Sequence, residues 1–210
     1  TTDVRLDVVA AGGESLAFLG DATFAGTATF TQTGMPIVVL NNVTGPGGLI
    51  LDGDGTLQLP TANAYAGETI IRNGLLVAGD GMSFGSAASG TGVEDGGGIQ
   101  VSGGTFPEPL TLNGFGNALL DGALNKVPLL NVVWTGPITA GSATRIYSAG
   151  NVTFLDGGIN LDPGASLTID AQNQVQIRNN EITGDASTLL RFEGNDRTSL
   201  VFSNPNFLGD

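Results

Sequence analysis

The chain contains no cysteine and no histidine among its 210 residues. Without cysteine, no disulfide can brace the fold and no thiol chemistry is possible. Without histidine, the sequence lacks Ser-His-Asp catalysis, the usual zinc ligands and the side chain that most often shuttles protons near neutral pH. These absences predict a protein that is not an enzyme and that needs no catalytic residue, no metal and no cofactor.

Charged residues are few, and most of them carry one sign. Only 13 % of the residues are charged, with seven Lys and Arg against twenty Asp and Glu, which gives a net charge of −13. Proteins that bind nucleic acids draw most of their affinity from basic residues that neutralise phosphates. The charge balance therefore argues against nucleic acid as a partner.

Long hydrophobic runs are missing as well. The sequence has no run of about 18 apolar residues, so we expect no membrane insertion by this segment. It does not begin with a basic stretch followed by an apolar one, so we expect any secretion signal to lie outside this piece.

Glycine and short apolar alternation are abundant. The chain has 34 Gly and 40 % apolar residues, and each Gly in a helix interior costs about 1 kcal/mol relative to Ala. Triplets at 57–59, 159–161 and 167–169 place an apolar residue on each side of a polar one, which is the pattern of a strand with one buried face. The sequence therefore predicts an all-β fold without long helices.

Three imperfect copies of one phrase run through the chain. They are GTLQLPTANAYAG at 55–67, SLAFLGDATFAG at 15–26 and SLVFSNPNFLG at 199–209. The first two align without a gap, so that Leu16 falls on Leu57 and Phe24 on Tyr65. Such repetition is typical of a solenoid, in which each unit buries its apolar face only against its neighbours. We therefore predict one solenoid domain over 1–210.

The spacing of large apolar residues gives the length of a coil. Successive spacings of 22, 20, 23 and 25 residues separate Leu112, Trp134, Phe154, Ile177 and Phe202. This is about what three short strands and three turns use in one coil of a parallel β-helix, so we expect these five side chains to form one interior ladder. The side chains predicted to be nearly fully buried are Leu57, Leu59, Trp134, Phe154, Ile169 and Phe202.

The segment 47–81 resembles the autotransporter passenger-associated β-strand repeat. Sixteen positions match the usual form of that repeat: Gly47, Gly48, Leu49, Gly53, Gly55, Thr56, Leu57, Leu59, Asn63, Tyr65, Gly67, Thr69, Ile71, Gly74, Leu75 and Val77. It departs from that form where Leu51 or Asp52 replaces a basic residue and where the second GTL reads Gly74, Leu75, Leu76. The resemblance implies a right-handed parallel β-helix on the outside of a bacterium.

Two acidic motifs offer alternatives to a purely structural role. Asp52 and Asp54 resemble the start of a calcium loop, because carboxylates two residues apart can converge on a hard cation. Further oxygen ligands and a closing Glu do not follow, so a solvated turn is the competing interpretation. Glu94 and Asp95 could form an acidic pocket, but the Gly- and Ser-rich segment 79–98 reads more simply as a flexible loop that bulges from the rod.

Aromatic residues allow two interpretations. Trp134, Tyr147, Phe154 and Phe202 could offer surfaces on which sugars stack, although their strand phase favours core ladders. Phe106 is the better candidate for an exposed contact, because Pro107 and Pro109 interrupt regular pairing. The expected role of Phe106 is nevertheless a cap over the end of a core layer.

Taken together, these features predict a structural or adhesive stalk segment of an extracellular bacterial surface protein. The alternatives are a glycan-binding or glycan-cleaving β-helix, as in tail spikes or lyases, and a protomer of an end-to-end filament. A groove with converging carboxylates beside an Arg or Lys would favour the enzyme, and a smooth acidic rod would favour the stalk. Expected partners are neighbouring repeats or further copies of the chain, with surface glycans or other cells as additional candidates. We expect the chain to be a piece of a longer protein or a protomer whose ends are covered by neighbours.

Overall fold

The computed structural model describes residues 3–9, 15–17, 21–178, 181–195, 199–203 and 206–209. These residues contain strands and turns but no helix, and all strand pairs are parallel. The chain winds into a β-solenoid in which each coil contributes short strands to up to three stacked faces. The prediction of an all-β parallel solenoid is confirmed.

Three faces make up the solenoid, and each is a column of strands from successive coils. Face 1 stacks β1 Val4–Val9, β4 Ala28–Thr33, β7 Leu49–Gly53, β10 Thr69–Ile71, β12 Thr91–Val93, β15 Leu110–Gly114, the first part of β18 Ile138–Ser148, β20 Ile159–Leu161, β23 Glu181–Gly184 and β26 Asn206–Gly209. Face 2 stacks β2 Ser15–Ala17, β5 Ile37–Val39, β8 Thr56–Leu59, β11 Gly74–Ala78, β13 Gly97–Val101, β16 Leu124–Lys126, the second part of β18, β21 Ser166–Ala171 and β24 Leu189–Gly194. Face 3 stacks β3 Ala22–Thr23, β6 Val43–Gly45 and β9 Ala64–Tyr65, and then β14 Gly104–Phe106, β17 Val132–Trp134, β19 Thr153–Leu155, β22 Gln174–Arg178 and β25 Ser199–Ser203.

The core consists of ladders of apolar side chains that point inward from in-register strands. On face 2 one ladder holds Leu57, Leu76, Ile99, Leu124, Ile146 and Ile169. Each of these side chains is buried, while most of its neighbours along the strand are more exposed. The period-two alternation of the sequence thus places one set of residues inside every coil.

The first two copies of the repeated phrase are separated by two coils. Leu16 pairs with Val38, and Val38 pairs with Leu57, so the two aligned leucines lie two coils apart in one column. Phe24 and Tyr65 are related in the same way, and their ring centroids lie 5.9 Å apart. Gly45 lies between them with φ of 109°, and a Cβ there would collide with the Phe24 backbone. The absence of a side chain on the intervening coil lets the two rings meet.

An aromatic stack fills the interior behind face 3. Phe106 and Trp134 are in register and stack with centroids 5.0 Å apart and planes 10° apart. Phe84 packs against both rings at 5.9 and 6.2 Å. All three rings are buried, so the interpretation of Phe106 as an exposed contact is wrong, and its ring belongs to the core. Two prolines follow Phe106, but they lie in the turn after β14 and leave its pairing with β17 intact.

The predicted interior ladder needs two corrections. In the structure Trp134 lies in register with Phe106, Leu155, Ile177 and the backbone of Phe202, whereas Leu112 belongs to face 1. Spacing gave the coil length but could not assign residues to faces.

Phe154 is the second correction, because it points outward and is only half-buried. Thr153 and Leu155 point inward instead, and the Thr153 hydroxyl is hydrogen-bonded inside the core to Ser148 at 2.7 Å. This buried polar pair allows the threonine to take the inner position. Burial of Leu57, Leu59, Trp134 and Ile169 is confirmed, and the Phe202 side chain lies outside the described residues.

The segment 79–98 is not a loop that leaves the rod. It contains β12 and the first residues of β13, and Ser83, Phe84 and Val93 are buried within it. The Ser83 hydroxyl donates to the Leu59 carbonyl at 2.7 Å, and Ser86 N donates to the Tyr65 carbonyl at 2.9 Å. Its Gly and Ser residues serve tight turns that stack on the preceding coil.

Replacing Trp134 with Ala should lower the free energy of unfolding by about 3–5 kcal/mol, because it empties a large buried aromatic site. Phe154→Ala is the matched control on the outer surface, where the Arg178 guanidinium lies 4.0 Å from the centroid of the Phe154 ring. We expect that control to cost about 1 kcal/mol. Urea unfolding followed by circular dichroism measures both, and equal losses would contradict the assignment of inner and outer positions.

Gly47 and Gly92 provide a second matched pair. A Cβ on Gly47 would collide with the Gly26 carbonyl of the preceding coil, whereas a Cβ on Gly92 would meet only the end of Glu68, at 3.7 Å. Gly47→Ala should destabilise by about 1–3 kcal/mol through backbone displacement, and Gly92→Ala by less than about 0.5 kcal/mol. Thermal melting of both variants checks this, and a tolerated alanine at 47 would mean that the coils are not so closely stacked.

Candidate functional site

The corner between face 1 and face 2 has one large excursion. Residues 115–123 connect β15 to β16, whereas two to four residues make each of the other links between these faces that lie within the described residues. The excursion is held by a turn in which Leu120 N donates to the Asn117 carbonyl at 3.1 Å and Leu119 N donates to Asn117 Oδ1 at 2.9 Å. Phe115 and Leu119 are exposed on it. The longer link distinguishes this corner from the others, but it can be recognised only when the strand register is known.

The excursion forms one wall of a surface groove of about 360 Å³. Stacked turns of the preceding coils form the floor of the groove. Its lining consists of Met35, Gly53, Asp54, Asn73, Gly74, Gly96, Asn117, Ala118 and Leu119. The groove offers mainly apolar and backbone surface with few polar side chains.

Asp52 and Asp54 lie at this corner, but their carboxylates hold neighbouring coils. Asp54 accepts hydrogen bonds from the backbone N–H of Gly34 at 3.4 Å and of Met35 at 3.1 Å. Asp52 accepts one from the side-chain amide of Asn73 at 3.3 Å. Among the described residues, no group of three or more acidic residues is placed to hold a metal ion.

Glu94 and Asp95 form the turn before β13, where each contacts a different neighbouring residue. Glu94 lies 3.7 Å from the Arg72 guanidinium, and its carbonyl accepts the Gly97 N–H at 2.9 Å. Asp95 packs against Gly114 of the next coil. Both acidic residues therefore act within the stack of turns.

A network of charges lies on the outer surface of face 2. Arg145 Nη2 is 2.7 Å from Glu193 Oε2, Arg145 Nη1 is 3.8 Å from Asp170 Oδ2, and Arg191 Nε is 2.9 Å from Glu193 Oε1. Beside it, burial and the nearby carboxylates of Asp121 and Asp170 raise the pKa of Tyr147. This is the pattern of carboxylates beside arginine that an enzyme would need, but here the arginines already neutralise the carboxylates.

Sequence analysis missed this network because basic residues are few along the chain. The signal was a shared period: Asp170 and Glu193 are 23 residues apart and pair in register, as do Thr168 and Arg191. Tyr147 and Asp170 also pair in register. The coil length therefore brings these charges together.

A buried polar cluster lies inside the solenoid near face 3. Thr91 Oγ1 donates to Glu108 Oε1 at 2.8 Å, and the Tyr65 hydroxyl is hydrogen-bonded to Thr69 Oγ1 at 2.6 Å. Burial raises the pKa of Glu108 to about 7, and burial also raises the pKa of Tyr65. In the sequence, Pro107 and Pro109 indicate interrupted strand pairing, and no pattern there assigns a role to Glu108.

Lys126 is a further buried ionisable group. It takes an interior position on β16, and its Nζ donates to the carbonyls of Ala149 at 2.7 Å and Asn151 at 2.6 Å. Burial lowers its pKa to about 8. The ammonium thus closes the corner between faces 2 and 3 on the following coil.

The fold and these surfaces define a β-helical repeat segment, and comparison with known proteins agrees. Over 106 residues, half of this chain, it is 35 % identical to the adhesin BmaC autotransporter of Brucella suis biovar 1 (strain 1330). The chain spans about 3 % of the length of that relative. No family model matches the chain, and no solved structure matches it.

The similarity to an autotransporter adhesin and the solenoid fold together confirm the resemblance to autotransporter passenger β-helix repeats. Within the described part of the chain, no helix is long and apolar enough to cross a membrane.

Calcium should not change the stability of the chain, because the Asp52 and Asp54 carboxylates face different donors on neighbouring coils. We expect the same melting temperature with excess calcium and with a chelator. A rise of several degrees with calcium, abolished in the Asp52→Asn, Asp54→Asn double variant, would contradict this, since a ligand that binds only the native state must stabilise it.

Proposed function

We propose that this chain is a stalk segment of an extracellular bacterial surface protein, structural or adhesive in role and without catalysis. The observation that carries the proposal is the continuous parallel stack, in which each strand pairs only with the coils before and after it. Such a stack can be lengthened by adding coils without changing any existing contact. The similarity of half the chain to an autotransporter adhesin supports the same role.

Its main partners are neighbouring repeats or further copies that continue the stack. Leu190 on β24 lies in register with the fully buried Leu167 and is itself only partly buried. A coil placed on β24 would complete the burial of that position and pair its backbone. That coil could belong to the same chain in a longer parent protein or to another copy in an end-to-end filament.

A glycan-cleaving role is the second candidate, because Asp170 and Glu193 converge on Arg145 at the outer surface of face 2. Glycoside hydrolysis needs one carboxyl that donates a proton and one carboxylate that acts as base or nucleophile. Both carboxylates here are already paired with Arg145, Glu193 at 2.7 Å and Asp170 at 3.8 Å. These ion pairs occupy the carboxylate oxygens that would have to contact a glycosidic bond.

The test incubates the purified chain with acidic and neutral polysaccharides and measures the release of reducing ends. In parallel, beads coated with the chain are tested for attachment to host and bacterial cells. We expect no release of reducing ends. Attachment of the beads to cells would identify the role as adhesive, and a lack of attachment would identify it as structural. Release of reducing ends that is lost in Glu193→Gln but kept in the exposed control Glu68→Gln would overturn the proposal in favour of the enzyme.

A further inference from the structure

Glu108 is an acidic residue held inside the solenoid by the coils on both sides of it. The residue is 2 % exposed and lies between Pro107 and Pro109, in the turn from face 3 to face 1. Thr91 of the preceding coil donates to its Oε1 at 2.8 Å, and Trp134 Nε1 of the following coil donates to its backbone carbonyl at 2.8 Å. The residue is therefore fixed between two coils, its carboxyl by the preceding coil and its backbone carbonyl by the following one.

No positive charge compensates this carboxyl within the described residues, where Glu108 takes part in no ion pair. The titratable group that faces it is Tyr65 of β9, and the other polar neighbours, Thr69 and Thr91, are uncharged. Glu68 is the acid at the surface nearby. Because burial without a counter-charge disfavours the ionised carboxylate, the pKa of Glu108 rises to about 7.

A small surface cavity lies beside the residues that adjoin this carboxyl. The cavity has a volume of about 150 Å³, and Thr91 and Pro109 are part of its lining together with Glu68, Ser89, Thr111 and Thr139. The hydrogen-bond partner of Glu108 and the residue that follows it thus both border the cavity. Water can approach the carboxyl with a shift of the Thr91 side chain.

We propose that Glu108 makes the packing of these three coils depend on pH. In mildly acidic solution the protonated carboxyl keeps the Glu108 side chain bonded to Thr91 of the preceding coil while its backbone carbonyl holds Trp134 of the following coil. At alkaline pH the ionised carboxylate draws water from the cavity and loosens the packing of Glu108 against these two coils. The segment would then be most rigid under mildly acidic conditions and would open first at this turn.

The direction in which stability changes with pH follows from the pKa of the Glu108 carboxyl in the unfolded and in the folded chain. In the unfolded chain Glu108 has an ordinary pKa near 4.5, and in the folded chain it holds its proton to higher pH. Stability from this group is fully present below about 4.5 and is lost as the pH rises through about 7. Because other carboxylates also titrate in this range, the effect is read as a difference between variants.

The test compares the wild-type chain with Glu108→Gln, a neutral side chain of the same shape, and with Glu68→Gln, which removes an exposed carboxylate at the same cavity. Unfolding is measured from pH 5 to pH 8.5, together with amide exchange at Thr91, Leu110 and Trp134. We expect the unfolding constant of the wild type, relative to Glu108→Gln, to rise about 10- to 100-fold over this range. Glu68→Gln should follow the wild type, and the three amides should exchange faster at alkaline pH only when Glu108 is present, after correction for intrinsic rates.

A carbon NMR titration of the Glu108 carboxyl in the wild-type chain keeps the proposal testable if the glutamine variant does not fold. We expect a midpoint near neutrality. A midpoint near 4.5, or the same pH dependence of unfolding in the wild type and in Glu108→Gln, would overturn the proposal.

Discussion

The structure depends on the in-register hydrogen bonding of backbone between successive coils. Each strand pairs in parallel with the strand one coil away, so every side chain lies over the equivalent side chain of the next coil. Inside the coil this places apolar residues on one another and keeps water out. Outside it, the same register places Tyr147, Asp170 and Glu193 in one row.

Close stacking leaves little room at the corners, and buried polar groups there must find partners within the stack. Asn63 shows how this is done: its amide donates to the Ser83 carbonyl and its side-chain oxygen accepts the Val43 N–H, both at 2.8 Å. Lys126 does the same for two carbonyls of the following coil. These side chains replace backbone pairing where the chain turns, and so the corners are as closely connected as the faces.

Much of the fold could be predicted from the sequence because alternation and repetition are local. The leucines at 57 and 59 follow a strict alternation, and both are buried. Phe154 shows the limit of that reasoning. In the sequence Val152, Thr153, Phe154, Leu155, either alternate set could face inward. The choice depends on Ser148, which lies five residues before Thr153 and is hydrogen-bonded to it inside the core.

The outer surface could be predicted much less well, because it depends on which coils become neighbours. The excursion at 115–123 and the charges around Arg145 become visible only when the register is known. The Gly- and Ser-rich composition of 79–98 suggested a loop, although such residues also form the tight turns of a regular coil. Glu108 was overlooked because flanking prolines indicate irregular backbone, and they say nothing about which way the side chain points.

The central claim is the parallel, in-register stacking of coils, and spin labelling tests it directly because the chain has no cysteine of its own. Thr111 pairs with Thr139, and Thr139 pairs with Asn160, all on the outer surface of face 1. Nitroxides attached to cysteines at these three positions would lie about 4.8 Å apart along the stack. The account predicts strong spin exchange that collapses the three-line spectrum, whereas the three single-label proteins should keep three lines. Three separate lines in the triple-label protein, without broadening, would contradict it.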